Sequence, residues 1–295
     1  MLRWRIAPAM TDTRFHAPER LDEAIGLLTA DDEARPLAGG QTLVAMLNAE
    51  LLRPRAIVSL HRIAALKGVE RRAGGSLWIG AMTTHSALAA SAELRGAHRL
   101  LAEAAARIGH EAIRNRGTIG GAVAHADPSA DYPAALVALD AEIEIEGPRG
   151  KRSLPAHQFF RGFLTTALEP GELVTGVVLL PGPAKAATRF EKLARVEGDF
   201  ATASVAVVLG LDAGRVTSAR LTLGGCGSVP IQSIEAEQII AGHTLSDAVL
   251  KKAGELLAAA ADPIDDVRGT AAYRRAIIPG LVARAVRSAL AKGAA

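Results

Sequence analysis

Hydrophobic positions recur in two different periods along this chain, and the switches between them lay out its elements. Leu21, Ala24, Ile25 and Leu28 fall at i, i+3, i+4 and i+7, which places them on one face of a helix. Pro18 suits a first turn, so a helix is predicted over 18–28. Leu100, Leu101, Ala104, Ala105 and Ile108 form a second such face, predicting a helix over 97–108 that Gly109 stops. The period changes to two over 141–146, where Ile143 and Ile145 alternate with glutamates as in a half-exposed strand. Compact apolar runs over 56–60 and 76–80 predict further strands, and 43–47 a short helix. The run over 173–180 reads as a buried strand and ends at Pro181-Gly182-Pro183.

That Pro-Gly-Pro triplet is the clearest boundary signal in the chain. Beyond it the texture changes. Strands are predicted over 204–211 and 215–223, joined at Ala213-Gly214, and then helices over 231–240, 245–261 and 270–290. The pattern divides the chain into an extension over 1–13, a mixed α/β unit over 14–183 with a split near 60–75, and a sheet-then-helices unit over 184–295. Met10 makes a more natural start than Met1, so residues 1–9 read as an upstream extension of poor order.

Composition narrows the function. With 295 residues the chain is long enough for a well-buried core. The net charge is only +3 and aromatics make up 3%, so no basic, aromatic-interleaved face of a nucleic-acid binder is expected. No apolar run approaches the ~18 residues of a membrane span, and the N-terminus lacks the apolar stretch of a signal peptide. A cytoplasmic protein is expected. Cys226 is the single cysteine. It excludes an intrachain disulfide and any iron–sulfur cluster held by cysteines of this chain alone.

Candidate chemistry lies in two glycine pairs. The first, in Leu37-Ala38-Gly39-Gly40-Gln41-Thr42, lets backbone amides approach an anion closely, with Gln41 and Thr42 adding side-chain donors. Alone it describes a tight strand-to-helix turn equally well. The second, in Arg114-Asn115-Arg116-Gly117-Thr118-Ile119-Gly120-Gly121, adds a hydroxyl and two guanidiniums and again suits a diphosphate. Asp131 follows shortly after, past Pro128, and is placed to start a helix over 131–138. Two anion loops in one α/β unit would clamp a ligand with a polar middle and flat ends, the shape of a flavin dinucleotide. Ile108 and Ile113 are placed to flank its adenine. A third motif, Phe190-Glu191-Lys192 through Ala201, sets an aromatic beside a lysine, as at a flavin ring. It also reads as a strand followed by a solvated charged turn. His110 and His125 are expected to be structural or surface histidines, and no catalytic base stands out.

In this order the motifs resemble the FAD-binding medium subunit of the molybdenum hydroxylases, the group of aerobic carbon monoxide dehydrogenase and the flavin domain of xanthine dehydrogenase. The matching stretches are Ala38 to Leu43, Ile79-Gly80-Ala81-Met82-Thr83, Arg114 to Gly121, Ala124 to Asp131, Thr165 to Leu168, Gly171-Glu172-Leu173 and Phe190 to Asp199. The resemblance implies an α+β fold. Its two FAD-binding subdomains are of the vanillyl-alcohol oxidase/PCMH type, followed by a C-terminal three-stranded sheet with helices. It implies that Ala38, Gly39, Gly40, Gln41, Thr42 and Leu43, with Thr118, Gly120, Gly121 and Ala122, hold the pyrophosphate side. Asp131, Leu173, Phe190 and Lys192 fall at positions by the flavin, and Ile108 at one by the adenine. Thr42 stands where serine is commoner. Phe190 stands where the carbon monoxide dehydrogenase branch has tyrosine.

The resemblance also implies partners: a small subunit with [2Fe–2S] clusters and a large subunit with a molybdenum cofactor, assembled as a dimer of heterotrimers. This chain's FAD would then relay electrons to an external acceptor. Two other readings stay open on the residues: a self-sufficient flavin oxidase, and an assembly subunit without flavin.

Overall fold

Three principal sheets, each with its own helical cover, build the described residues 13–293 of the computed structural model. The expectation for residues 1–9 falls outside them. In the first sheet, Ala56–Ser59 lies between Arg14–His16 and Ala34–Leu37, all parallel. Parallel neighbours need crossovers, and the helices Leu21–Ala30 and Leu43–Asn48 lie on those connections. The first helix buries Ala24, Ile25 and Leu28, three of the four residues of the predicted face. It starts three residues later than expected, with Pro18 outside it.

The second sheet is antiparallel, in the order Val69–Arg71, Leu77–Gly80, Leu173–Leu179, Glu142–Gly147, Gly150–Pro155. Its middle strand arrives last in sequence and completes the sheet. The helix Arg99–Arg107 packs Leu100, Leu101, Ala104 and Ala105, all fully buried, into the core over this sheet. Each of those leucines contributes roughly 1.5–3 kcal/mol by its burial. Ile108 lies just past the helix in extended backbone, and Gly109 at φ +50° turns the chain away. Gly150–Pro155 is not predicted because GKRSLP has little apolar pattern. As an edge strand with a mostly wet face, it takes its place from pairing with Glu142–Gly147.

The third sheet is an antiparallel meander of Ala186–Leu193, Ala203–Asp212, Arg215–Gly224 and Ile231–Gln232. Three strands were expected; the two-residue fourth takes the start of the predicted 231–240 helix, which begins instead at Ile234 behind the Ser233 cap. The sheet buries both faces. Phe190, Ala206 and Val208 point into the core of the preceding unit. Ala187, Val205, Val207 and Leu209 point toward the helices Asp247–Ala260 and Ala271–Gly293. That two-sided burial is why 203–211 reads as a continuous apolar run rather than an alternating one. The Pro181–Pro183 turn is a packed joint: His98 Nε2 donates to Leu180 O at 2.8 Å, and a Cβ on Gly182 would fall 2.5 Å from that of Ala97.

Arg274, 2% exposed, ties this last unit together. Its guanidinium donates to Thr202 O and Gly225 O, each at 2.6 Å, and to Asp266. Arg274→Met removes the cation and orphans two buried carbonyls, so a loss of about 3–5 kcal/mol is expected in urea unfolding. A loss below about 1 kcal/mol would mean that the loops hold without it.

Candidate functional site

The parallel sheet and the antiparallel sheet meet along a cleft of about 430 Å³, within the range of small-molecule sites. Its walls come from 35–60 on one side and from 81–125 and 173–174 on the other. At its centre is the loop after strand Ala34–Leu37. Gly40 there adopts φ +77°, a conformation that favours glycine. The backbone N–H groups of Gly39, Gly40, Gln41, Thr42 and Leu43 make no hydrogen bond among the described residues. The Thr42 hydroxyl also makes none, and Gln41 Nε2 donates to Gly39 O at 3.1 Å. Five successive free amides and a free hydroxyl form a nest for an anion.

The second glycine loop works differently from its sequence reading. Ile119 N–H donates to Thr83 O and Gly120 N–H to Ala81 O, at 3.0 and 2.8 Å. Gly121 N–H reaches the Thr118 hydroxyl at 3.3 Å. These amides are already engaged, and the glycines serve close packing. A Cβ on Gly120 would fall 2.4 Å from that of Ala81; one on Gly39 would fall 2.2 Å from Arg116 O. The first loop therefore rests directly on the backbone of the second. Arg114, expected at a diphosphate, instead donates to Ile108 O and Gly109 O at 3.1 and 2.8 Å, closing the end of helix Arg99–Arg107.

Of the predicted site residues, Ala38 to Leu43, Thr118, Gly120, Gly121, Ala122 and Leu173 line the cleft. Ile108, Asp131, Phe190 and Lys192 do not. Phe190 is 1% exposed and packed in the core, away from the cleft lining. On strand Ala186–Leu193 its side chain points toward the preceding unit, and its N–H donates to Glu103 Oε2 at 2.9 Å. Lys192, two residues on and on the same face, donates to Asp131 Oδ2 at 2.9 Å and to Arg107 O at 2.8 Å. Both side chains of that ion pair are buried, and Asp131 Oδ1 has no hydrogen-bond partner. Burial pushes the Asp131 carboxyl up to about 6, against the pull of Lys192. Asp131 does open the helix Asp131–Ala138, as expected.

Three cleft residues with basic side chains carry no ligand role in the sequence reading: Arg35, His85 and His125. His125 was expected to be structural or at the surface. His85 follows directly on the matched stretch Ile79 to Thr83 and the Thr84 cap and opens the helix His85–Ala89, a position that was itself a usable signal.

Comparison with known proteins identifies the family. Residues 10–182 match the family described as FAD binding domain in molybdopterin dehydrogenase, and residues 188–289 match CO dehydrogenase flavoprotein C-terminal domain. The chain therefore belongs to the FAD-binding medium subunits of the molybdenum hydroxylases, a class of flavoprotein subunits in multi-subunit oxidoreductases. It is 37% identical to the carbon monoxide dehydrogenase medium chain of Afipia carboxidovorans, over 94% of this chain and 96% of that one. It is 36% identical to the 6-hydroxypseudooxynicotine dehydrogenase complex subunit alpha of Paenarthrobacter nicotinovorans, over 92% of each. A chain of the reconstituted CO dehydrogenase from Oligotropha carboxidovorans superposes with a TM-score of 0.91 at 37% identity, covering 95% of this chain and 98% of that chain. Among the described residues, no helix is long and apolar enough to cross a membrane.

Proposed function

We propose that the cleft holds FAD with its diphosphate on the free amides of Gly39 to Leu43, and that this chain relays electrons inside a molybdenum hydroxylase. The observation that carries the reading is the run of five unpaired amides beside the unused Thr42 hydroxyl. Such a nest fits a diphosphate. Ala38, Leu43, Ala122 and Leu173 supply apolar wall. Thr118, Gly120 and Gly121 set the cleft's floor, and Lys192 holds Asp131 in place. When bound, FAD supplies the exchange between one-electron and two-electron carriers.

The proposed partners are a small [2Fe–2S] subunit and a large molybdenum subunit, paired into a dimer of heterotrimers in the cytoplasm. Residues 14–183 act as the FAD unit and 184–295 as the C-terminal unit, which braces the first through the face that carries Phe190 and Lys192. The substrate is set by the large subunit: chains 37% and 36% identical to this one serve complexes named for quite different substrates.

The test is an absorption spectrum of the purified chain after FAD addition and gel filtration. A flavin spectrum near one FAD per chain is expected, with no substrate turnover by the chain alone. A folded chain that stays colourless, both alone and co-purified with its partners, would refute the reading. Light scattering on the co-purified complex should give the mass of two heterotrimers.

A further inference from the structure

His85 is 4% exposed, borders the cleft, and sits between two groups that settle where its proton lies. Tyr132, fully buried, has one side-chain hydrogen-bond partner among the described residues, His85 Nδ1 at 2.9 Å. A buried hydroxyl proton left without an acceptor costs on the order of 1–3 kcal/mol. Tyr132 therefore donates and Nδ1 accepts. In a neutral imidazole the proton is then on Nε2. The ring is neutral: burial, with the nearby Arg114 guanidinium, pushes its pKa down to about 4. Among the described residues Nε2 makes no hydrogen bond, since the one His85 side-chain bond is through Nδ1.

The surroundings of that nitrogen follow from the glycines. A Cβ on Gly117 would fall 2.5 Å from His85 Nε2, and a Cβ on Gly39 would fall 2.7 Å from Gly117 Cα. The His85 ring, Gly117 and Gly39 are thus stacked in contact, and His85 N–H further ties the stack by donating to Gly117 O at 3.0 Å. The Nε2–H lies one glycine away from the unpaired amides of Gly39 to Leu43.

We propose that His85 is a ligand-positioning residue, its neutral Nε2–H set by Tyr132 to donate to the anionic diphosphate seated in the first glycine loop. This deepens the flavin reading and rests on it. A neutral donor here adds a directed hydrogen bond without placing a second full charge beside Arg114.

The experiment uses the full chain freed of flavin, with FAD, ADP and adenosine as probes. Nitrogen NMR of the histidine rings should show His85 protonated at Nε2 and bare at Nδ1. ADP should shift the Nε2–H resonance, whereas adenosine, which lacks phosphate, should not. In titrations, His85→Phe should bind FAD and ADP roughly 10–100-fold more weakly, the loss of one hydrogen bond to a charged group. His85→Gln, which keeps a donor, should recover part of that. A proton on Nδ1, an Nε2–H unmoved by ADP, or undiminished binding by folded His85→Phe would each overturn the proposal. Should His85→Phe not fold, the NMR of the wild-type chain decides the matter. A wild-type chain that binds neither FAD nor ADP would instead refute the flavin reading, and this proposal with it.

Discussion

Gly39→Ala is expected to abolish FAD uptake, whereas Gly40→Ala, its neighbour in the same pair, weakens it. The added methyl at Gly39 would lie 2.2 Å from Arg116 O, 2.7 Å from Gly117 Cα and 2.9 Å from Arg116 C. All three are backbone atoms, so no side chain can rotate aside. The first loop must lift off the second, and the amide nest and the His85 donor part company. At Gly40 the methyl would meet Val44 Cγ2 at 3.3 Å, a side chain with room to adjust. The cost there is the left-handed backbone at φ +77°, about 1–2 kcal/mol for an alanine. The check is flavin absorbance per folded chain, with circular dichroism to count the folded fraction. Equal retention by both variants would mean that the loop contact does not shape the site.

Lys192→Met is expected to cost the folded chain about 1–2 kcal/mol at pH 7, and more at higher pH, because it leaves the Asp131 carboxyl buried without its cation. The pH dependence has a definite sign. The carboxyl of Asp131 is already raised to about 6 by burial, so the folded state holds that proton more tightly than the unfolded chain, whose value is 3.8. Its contribution to stability is present below about pH 4 and declines as pH rises through 6. Removing Lys192 removes the opposing pull and raises the carboxyl further. The penalty of Lys192→Met should therefore be small near pH 4 and grow as pH rises past 6. Asp131→Asn with Lys192→Met should restore most of the stability at pH 7, since no charge is then buried. Urea unfolding of the wild type, Lys192→Met and the double variant at several pH values tests this. A penalty that does not depend on pH would show that Lys192 acts by packing alone.

Much of this protein was legible in its sequence where a signal is local. The helix faces at Leu21 to Leu28 and Leu100 to Ala105 depend only on spacing, and apart from Leu21 they are buried as read. The first glycine pair is a local signal too: Gly40 takes a positive φ, and the amides that follow are free. Asp131 opens its helix because a carboxylate suits that end whatever surrounds it. Together with motif order, these were enough to identify the family and hence the flavin.

Tertiary structure decided what depends on residues distant in sequence. The second glycine loop reads like the first, yet its amides bond to Ala81 and Thr83, so it supplies support where the first supplies donors. Phe190 is followed in sequence by the Lys192 of the flavin motif. Its strand lies between two cores, however, and that turns the ring inward. Arg114 looks like an anion ligand until a helix end brings two carbonyls within its reach. Beyond its place behind the Thr84 cap, His85 carries no mark of its role in the sequence. Its tautomer depends on Tyr132 and its surroundings on Gly117, partners that only folding brings beside it. Local propensity and spacing are short-range properties and can be read along the chain. The hydrogen-bond partner of a given atom is set by which segments the hydrophobic cores press together, and that is a property of the whole fold.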